Sequence, residues 1–257
     1  PDGACGCPVP PCRAVRSLRA NRGQTAWLAA TLALGPLLLW QGRQVRRVTP
    51  VLPEPPGPRH GRAGQGAPLR LLILGDSAAA GVGVGTQAQA LSGQLATRLA
   101  QRFDLRWRLA AQTGATTRDT LQRLDALRGE RFDVVVTSLG VNDVTGGRSP
   151  RRWIDDQARL VAALRQDLGA RRILLSALPP MHRFPALPQP LRAYLGAQAR
   201  RYNRALQAFA ATRTGCEWVA LDLGSDPALM AADGFHPGAD AYAAWAEGLA
   251  RCIDGPP

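Results

Sequence analysis

Five short aliphatic runs alternate with longer stretches of helical spacing through residues 68–257, and this rhythm limits the fold more than any other feature. Leu71–Leu74, Leu105–Ala110, Val134–Leu139, Ile173–Ser176 and Trp218–Leu221 read as strands. Apart from Leu105–Ala110, they are apolar at largely consecutive rather than alternate positions, the mark of strands covered on both faces. Between and after them, Leu91–Arg102, Thr117–Leu127, Pro150–Leu168, Leu191–Ala211 and Pro237–Cys252 have helical periodicity; in the last, Ala241, Trp245 and Leu249 recur every four residues. The expected fold is therefore α/β, with a parallel sheet between helical layers. Ligands of such sheets bind beyond the carboxyl ends of the strands, so the residues just after each run carry the functional interest.

The remainder of the chain has a different character. The apolar run from Ala26 to Trp40 has Arg13, Arg16, Arg19 and Arg22 before it and Arg43, Arg46 and Arg47 after it. That pattern predicts an uncleaved membrane anchor or export signal, with a buried or amphipathic helix as the alternative. Residues 50–67 are rich in Pro and Gly and read as a semi-extended linker. The predicted organisation is thus a basic segment over 1–49 with its apolar run over 26–40, a linker over 50–67, and a globular domain over 68–257. A protein so built is expected at a bacterial inner membrane or in the periplasm, a cytoplasmic location being the alternative.

The net charge of +13 does not make this a nucleic-acid-binding protein. All 32 basic residues are Arg, and residues 1–66 hold nine of them against two acids, which leaves only +6 on residues 67–257. No aromatic-interleaved basic stripe or zinc-ligand spacing follows. Cys5, Cys7 and Cys12 have no His or fourth Cys nearby, so no metal is expected there. Cys216 and Cys252 read equally well as a disulfide of an exported domain or as two free thiols.

Chemistry concentrates after the strands. Gly75-Asp76-Ser77 follows the first, with small residues behind it that leave a substrate carbonyl room to approach Ser77. The segment matches neither a phosphate-binding loop nor the G-x-S-x-G elbow. Gln112-Thr113-Gly114 follows the second strand and Gly140-Val141-Asn142-Asp143 the third. The backbone N–H groups of Ser77 and Gly114 and the side-chain amide of Asn142 are candidate donors to an oxyanion; plain turn or capping roles would account for Gly114 and Asn142 individually. Asp233-Gly234-Phe235-His236-Pro237 precedes the last helix. Asp and His three apart in a tight loop can face each other and leave the second ring nitrogen for Ser77, with Pro237 suited to the first helical position.

Taken together, these four blocks resemble the SGNH, or GDSL, hydrolase superfamily. Gly75-Asp76-Ser77 matches its nucleophile block, Gly114 the second-block glycine, Gly140-Val141-Asn142-Asp143 its G-x-N-D block and Asp233–His236 its D-x-x-H block, over about residues 68–254. The resemblance implies a flavodoxin-like α/β/α sandwich with a five-stranded parallel sheet, and hydrolysis of esters or thioesters without a metal or other cofactor. It also implies Ser77 as nucleophile, His236 as base and then acid, Asp233 as its orienter, and Ser77, Gly114 and Asn142 as the oxyanion hole. Ala78-Ala79-Ala80 departs from the bulkier or more polar continuation frequent in that block, leaving the local substrate pocket undefined.

The expected partner is a small-molecule or lipid-like ester, as for a carboxylesterase, lysophospholipase or thioesterase. A carbohydrate or cell-wall O-acetyl esterase and a membrane-tethered inactive binding domain are the competing readings. The Pro-rich segment Leu178–Pro188 is expected either to wall an acyl-binding groove or to use Met181, Phe184 and Leu187 to pin itself to the core. Gly146-Gly147 reads as a mobile lip or as a simple lead-in to the next helix.

Overall fold

The computed structural model describes residues 33–221 and 226–255, and the chain divides into two units, 1–47 and 48–257. In the first, the described part is a helix, α1, running through residues 33–48. The apolar run up to residue 32 and Cys5, Cys7 and Cys12 lie outside the described residues. Among the described residues no helix is long and apolar enough to cross a membrane.

The second unit is built on one sheet with strands β1 (His60–Ala63), β2 (Ala67–Gly75), β3 (Phe103–Ala111), β4 (Val134–Ser138), β5 (Arg172–Ser176) and β6 (Cys216–Val219) in the order β1-β3-β2-β4-β5-β6. Strands β2 to β6 are mutually parallel, as expected, and β1 adds an antiparallel edge beside β3. The helices are α2 (Ser77–Ala80), α3 (Leu91–Leu99), α4 (Thr117–Gln122), α5 (Val141–Thr145), α6 (Pro150–Gln166), α7 (Leu191–Ala211) and α8 (Ala239–Asp254). One face of the sheet is covered by α3 and α8, whose Leu91, Leu95, Trp245 and Leu249 pack on Leu69, Leu71 and Ile73 of β2. In the other layer α6 packs between α4 and α7 and contacts both. The four consecutive apolar residues Leu71–Leu74 are at most 2% exposed because each face of β2 is covered.

The chain crosses from β2 to β3 on one side and then from β3 back past β2 to β4 on the other, so the winding direction reverses at β2. The carboxyl end of β2 is consequently a topological switch point, where the loops diverge and leave a crevice.

Several expectations need correction. The sheet has six strands rather than five, because the segment expected as a linker over 50–67 contributes β1. Its sequence, His-Gly-Arg-Ala, lacks the apolar content of a buried strand. It is an edge strand held by backbone pairing and by a bidentate contact of Arg62 with Asp104, at 2.8 and 2.7 Å. The preceding residues are docked as well: buried Gln87 donates to the carbonyls of Pro55 (3.3 Å) and Ala80 (2.8 Å). The last strand ends at Val219 rather than Leu221, and α8 starts at Ala239, so Pro237 is not its first residue and instead bridges Met230. The helix expected over Thr117–Leu127 is α4 followed by a 3-10 turn, Leu124–Leu127. Gly146 closes α5 and Gly147 continues toward α6, the lead-in arrangement. Cys216 and Cys252 are free thiols.

Trp153 of α6 joins the core to the loops above it. It is fully buried, its ring lies 5.0 Å from that of Tyr202, and its Nε1–H donates to Thr117 Oγ1 at 2.9 Å. Trp153→Ala should destabilise the fold by about 3–5 kcal/mol, through the cavity left and the lost donor. Urea unfolding measures this, and a loss below about 1 kcal/mol would show that the site collapses around the smaller residue.

Candidate active site

Close packing sets the position of Ser77. A Cβ on Gly75 would meet the Ala79 Cβ at 2.5 Å and the Ser138 carbonyl at 2.6 Å, so only glycine lets the chain turn this tightly off β2. Asp76 then donates its N–H to Ser138 O (3.1 Å) and caps α2, its Oδ1 accepting from Ala78 N at 3.1 Å. Ser77 is thereby held at the first position of α2, at the switch point, with its hydroxyl turned to the crevice.

The Asp233–His236 loop meets it from the other end of the sequence. Asp233 is 5% exposed; its Oδ1 accepts from the backbone N–H groups of Phe235 (2.9 Å) and His236 (3.0 Å). Its Oδ2 lies 2.5 Å from His236 Nδ1, and His236 Nε2 lies 2.8 Å from Ser77 Oγ. Gly234 takes the left-handed turn between them at φ +62°. Tyr242 of α8 locks the approach by donating to Val82 O at 2.8 Å. Burial works against ionisation of Asp233, but the bonds from the His236 ring and from two backbone N–H groups outweigh it, so its pKa falls below the usual carboxylate range. Charge balance then assigns the Nδ1–H of His236 to Asp233 and leaves Nε2 as an acceptor for the serine proton.

Asn142, the second residue of α5, donates through Nδ2 to Ala115 O at 3.0 Å and reaches Asp76 Oδ2 at 3.5 Å. It therefore bridges the turn after β3 and the Ser77 turn. Gly114 sits on the former turn at φ +79°. Neither its N–H nor that of Ser77 is paired with an acceptor among the described residues. All five residues expected at the site are thus at the carboxyl end of the sheet; Ser77, His236 and Asp233 are in direct contact, and Asn142 is one bond from each neighbouring turn.

Glu54 and Arg59 carried no recognisable role in the sequence, and Asp76 and Asp143 stood only as members of matched blocks; all four hold the turns of the site. Asp143 is buried and accepts from Thr117 N (3.1 Å) and Oγ1 (3.0 Å), fastening the start of α4 to α5; burial raises its pKa against those bonds. Glu54, from the segment expected as a linker, accepts from Thr113 N and Oγ1, both at 2.8 Å, and pairs with Arg59 at 2.8 Å. Arg59 in turn donates to Ala111 O. Glu54 and Arg59 together brace the turn that carries Gly114. Asp76 itself is fully buried, which pushes its pKa up to about 7 against the favourable Ala78 bond and His236 charge.

Beside Ser77 lies a narrow cavity of about 40 Å³, walled by Leu139, Leu178, Pro179, Phe184, Phe235 and Trp245. Met181, Phe184 and Leu187 are all buried and pin the loop, and the segment also walls the cavity through Leu178, Pro179 and Phe184. No group of residues able to hold a metal ion occurs among the described residues.

Comparison with known proteins gives the same picture. The GDSL-like Lipase/Acylhydrolase family profile matches residues 73–244. A GDSL-like esterase of Mycobacterium tuberculosis is 32% identical over 192 residues, covering 68% of this chain and 58% of its own length. The chain thus spans somewhat less than two thirds of that relative. Esterase TesA of Pseudomonas aeruginosa is 31% identical over 175 residues, covering 67% of this chain and 82% of its own length. Among solved structures, a crystal structure of TesA superposes with a TM-score of 0.59 at 29% identity, covering 72% of this chain and 98% of that one. An acetylxylan esterase from Geobacillus stearothermophilus, at 18% identity and a TM-score of 0.54, covers 74% of this chain and 96% of its own and shares the fold. The chain belongs to the GDSL-like lipase/acylhydrolase family of the SGNH hydrolase superfamily and is a hydrolase acting on ester bonds.

Proposed function

We propose that the chain is a serine esterase working through an acyl-enzyme, with Ser77 as nucleophile, His236 as general base and acid, and Asp233 as the group that orients and charge-balances His236. The observation that carries this reading is the unbroken relay Ser77 Oγ, His236 Nε2, His236 Nδ1, Asp233 Oδ2, with links of 2.8 and 2.5 Å. On this reading His236 Nε2 takes the Ser77 proton as Oγ attacks the ester carbonyl carbon. The oxygen of the tetrahedral intermediate takes up the negative charge and is met by the N–H groups of Ser77 and Gly114 and by Asn142 Nδ2. His236 returns the proton to the departing alkoxide, leaving the acyl group on Ser77. A water molecule, deprotonated by His236, then releases the acid and restores the hydroxyl.

A fluorophosphonate tests the assignment directly, because it reacts only with a serine activated in this way. Peptide mass spectrometry should find one adduct, on Ser77. An intact enzyme active on esters but labelled elsewhere would overturn the reading, and a protein with neither label nor turnover would be a binding domain.

A further inference from the structure

The cavity beside Ser77 deepens the proposed function, and the inference rests on the reading of Ser77 as nucleophile. We infer that this cavity receives the acyl group of the substrate and limits it to short chains, from acetyl to about butyryl, with Phe184 as the residue that sets the limit.

Size is the first consideration. A space of about 40 Å³ has room for roughly three water-sized groups. An acyl group whose carbonyl sits at Ser77 Oγ fills it with its first one to three carbons. Chemistry is the second: Leu139, Leu178, Phe184, Phe235 and Trp245 offer carbon surface and few polar partners, so an alkyl stub is favoured there over a sugar or a charged group.

Rigidity decides whether the limit is real, since a soft wall would yield to a longer chain. Leu178 is held at both ends of its peptide by one side chain of α7: its N–H donates to Asn203 Oδ1 at 2.8 Å and its carbonyl accepts from Asn203 Nδ2 at 2.9 Å. Phe184 is 3% exposed and meets Phe235 edge-to-face at 5.0 Å between centroids. Phe235 in turn packs against the His236 ring at 5.4 Å. The wall loop is tied to the histidine loop by the Ala186 N–H bond to Gly234 O at 3.2 Å. On this inference a longer acyl chain presses on Phe184, whose ring packs on the one next to His236.

The test is a series of p-nitrophenyl esters from acetyl to decanoyl, assayed on the full chain. We expect kcat/KM to peak at acetyl to butyryl and to fall by roughly 100-fold at octanoyl. Phe184→Ala should raise the octanoyl-to-acetyl ratio of kcat/KM by roughly tenfold or more. Phe184→Leu, which keeps a buried branched side chain, should shift the profile in the same direction by less, and stands in if the alanine protein does not fold. A parent enzyme that prefers octanoyl, or a folded Phe184 variant with an unchanged chain-length profile, would overturn the inference. Fluorophosphonate labelling of Ser77 separates the two ideas: labelled enzyme with an unmoved profile sinks only the acyl limit, whereas active enzyme unlabelled at Ser77 sinks the mechanism beneath it.

Discussion

Ser77→Ala should lower kcat for ester hydrolysis by about 10⁵- to 10⁶-fold while leaving the fold intact. The hydroxyl makes one hydrogen bond, to His236 Nε2, and Ser77 is half-buried, so its removal opens no core cavity and strands no second partner. The expected change in unfolding free energy is within about 0.5 kcal/mol. On the proposed mechanism the loss of turnover is large because Ser77 Oγ is the hydroxyl in contact with His236 Nε2, and its removal leaves only the proposed oxyanion donors acting on a water-borne reaction. Turnover by the alanine protein comparable with the parent's would refute the nucleophile assignment, provided both are purified from a host lacking competing esterases.

Asp233→Asn should cost about 10⁴-fold in kcat with little change in KM. The amide can keep both backbone bonds, because Asn Oδ1 accepts from Phe235 and His236 N–H as Asp Oδ1 does. Facing His236 Nδ1, however, the amide now presents an N–H. The ring must then carry its proton on Nε2, where it points at Ser77 and cannot accept the serine proton. A pH effect accompanies this. The folded-state pKa of Asp233 is depressed, so its contribution to stability is complete above about pH 4 and disappears as the pH falls through the lower folded value. Denaturant titrations at a series of pH values should show a shallower acid decline for Asp233→Asn than for the parent. Parental kcat in that variant would remove Asp233 from the relay.

Much of this was legible in the chain because each motif stands next to a strand or helix end that local pattern alone identifies. Consecutive apolar residues at 71–74 announce a strand buried on both faces, and the residues just after it are then bound to lie at the carboxyl edge. What escaped reading were contacts between distant segments. His60–Ala63 has no apolar alternation, and its strand character comes from the partner it meets in β3. Asn203 is one polar residue in an amphipathic helix, and nothing near it in sequence reveals that it grips Leu178. Phe235 sits inside the D-x-x-H block, where attention falls on the ionisable residues, although its ring forms the wall against Phe184. The start of α8 was misjudged for a related reason: Pro237 suits a first helical turn, but pairing with Met230 claims its backbone.

The bracing of the Gly114 turn by Glu54 moves the working boundary of the hydrolase unit upstream of the composition change at Pro68. A chain shortened to Pro68 would keep all three relay side chains yet lose Glu54, Arg59 and β1 together. Thr113 would have two hydrogen-bond donors without their carboxylate, and β3 would expose an unprotected row of amides and carbonyls open to a second copy. Any truncation intended to isolate this hydrolase must therefore begin before Glu54, however dispensable that proline-rich stretch looks on paper.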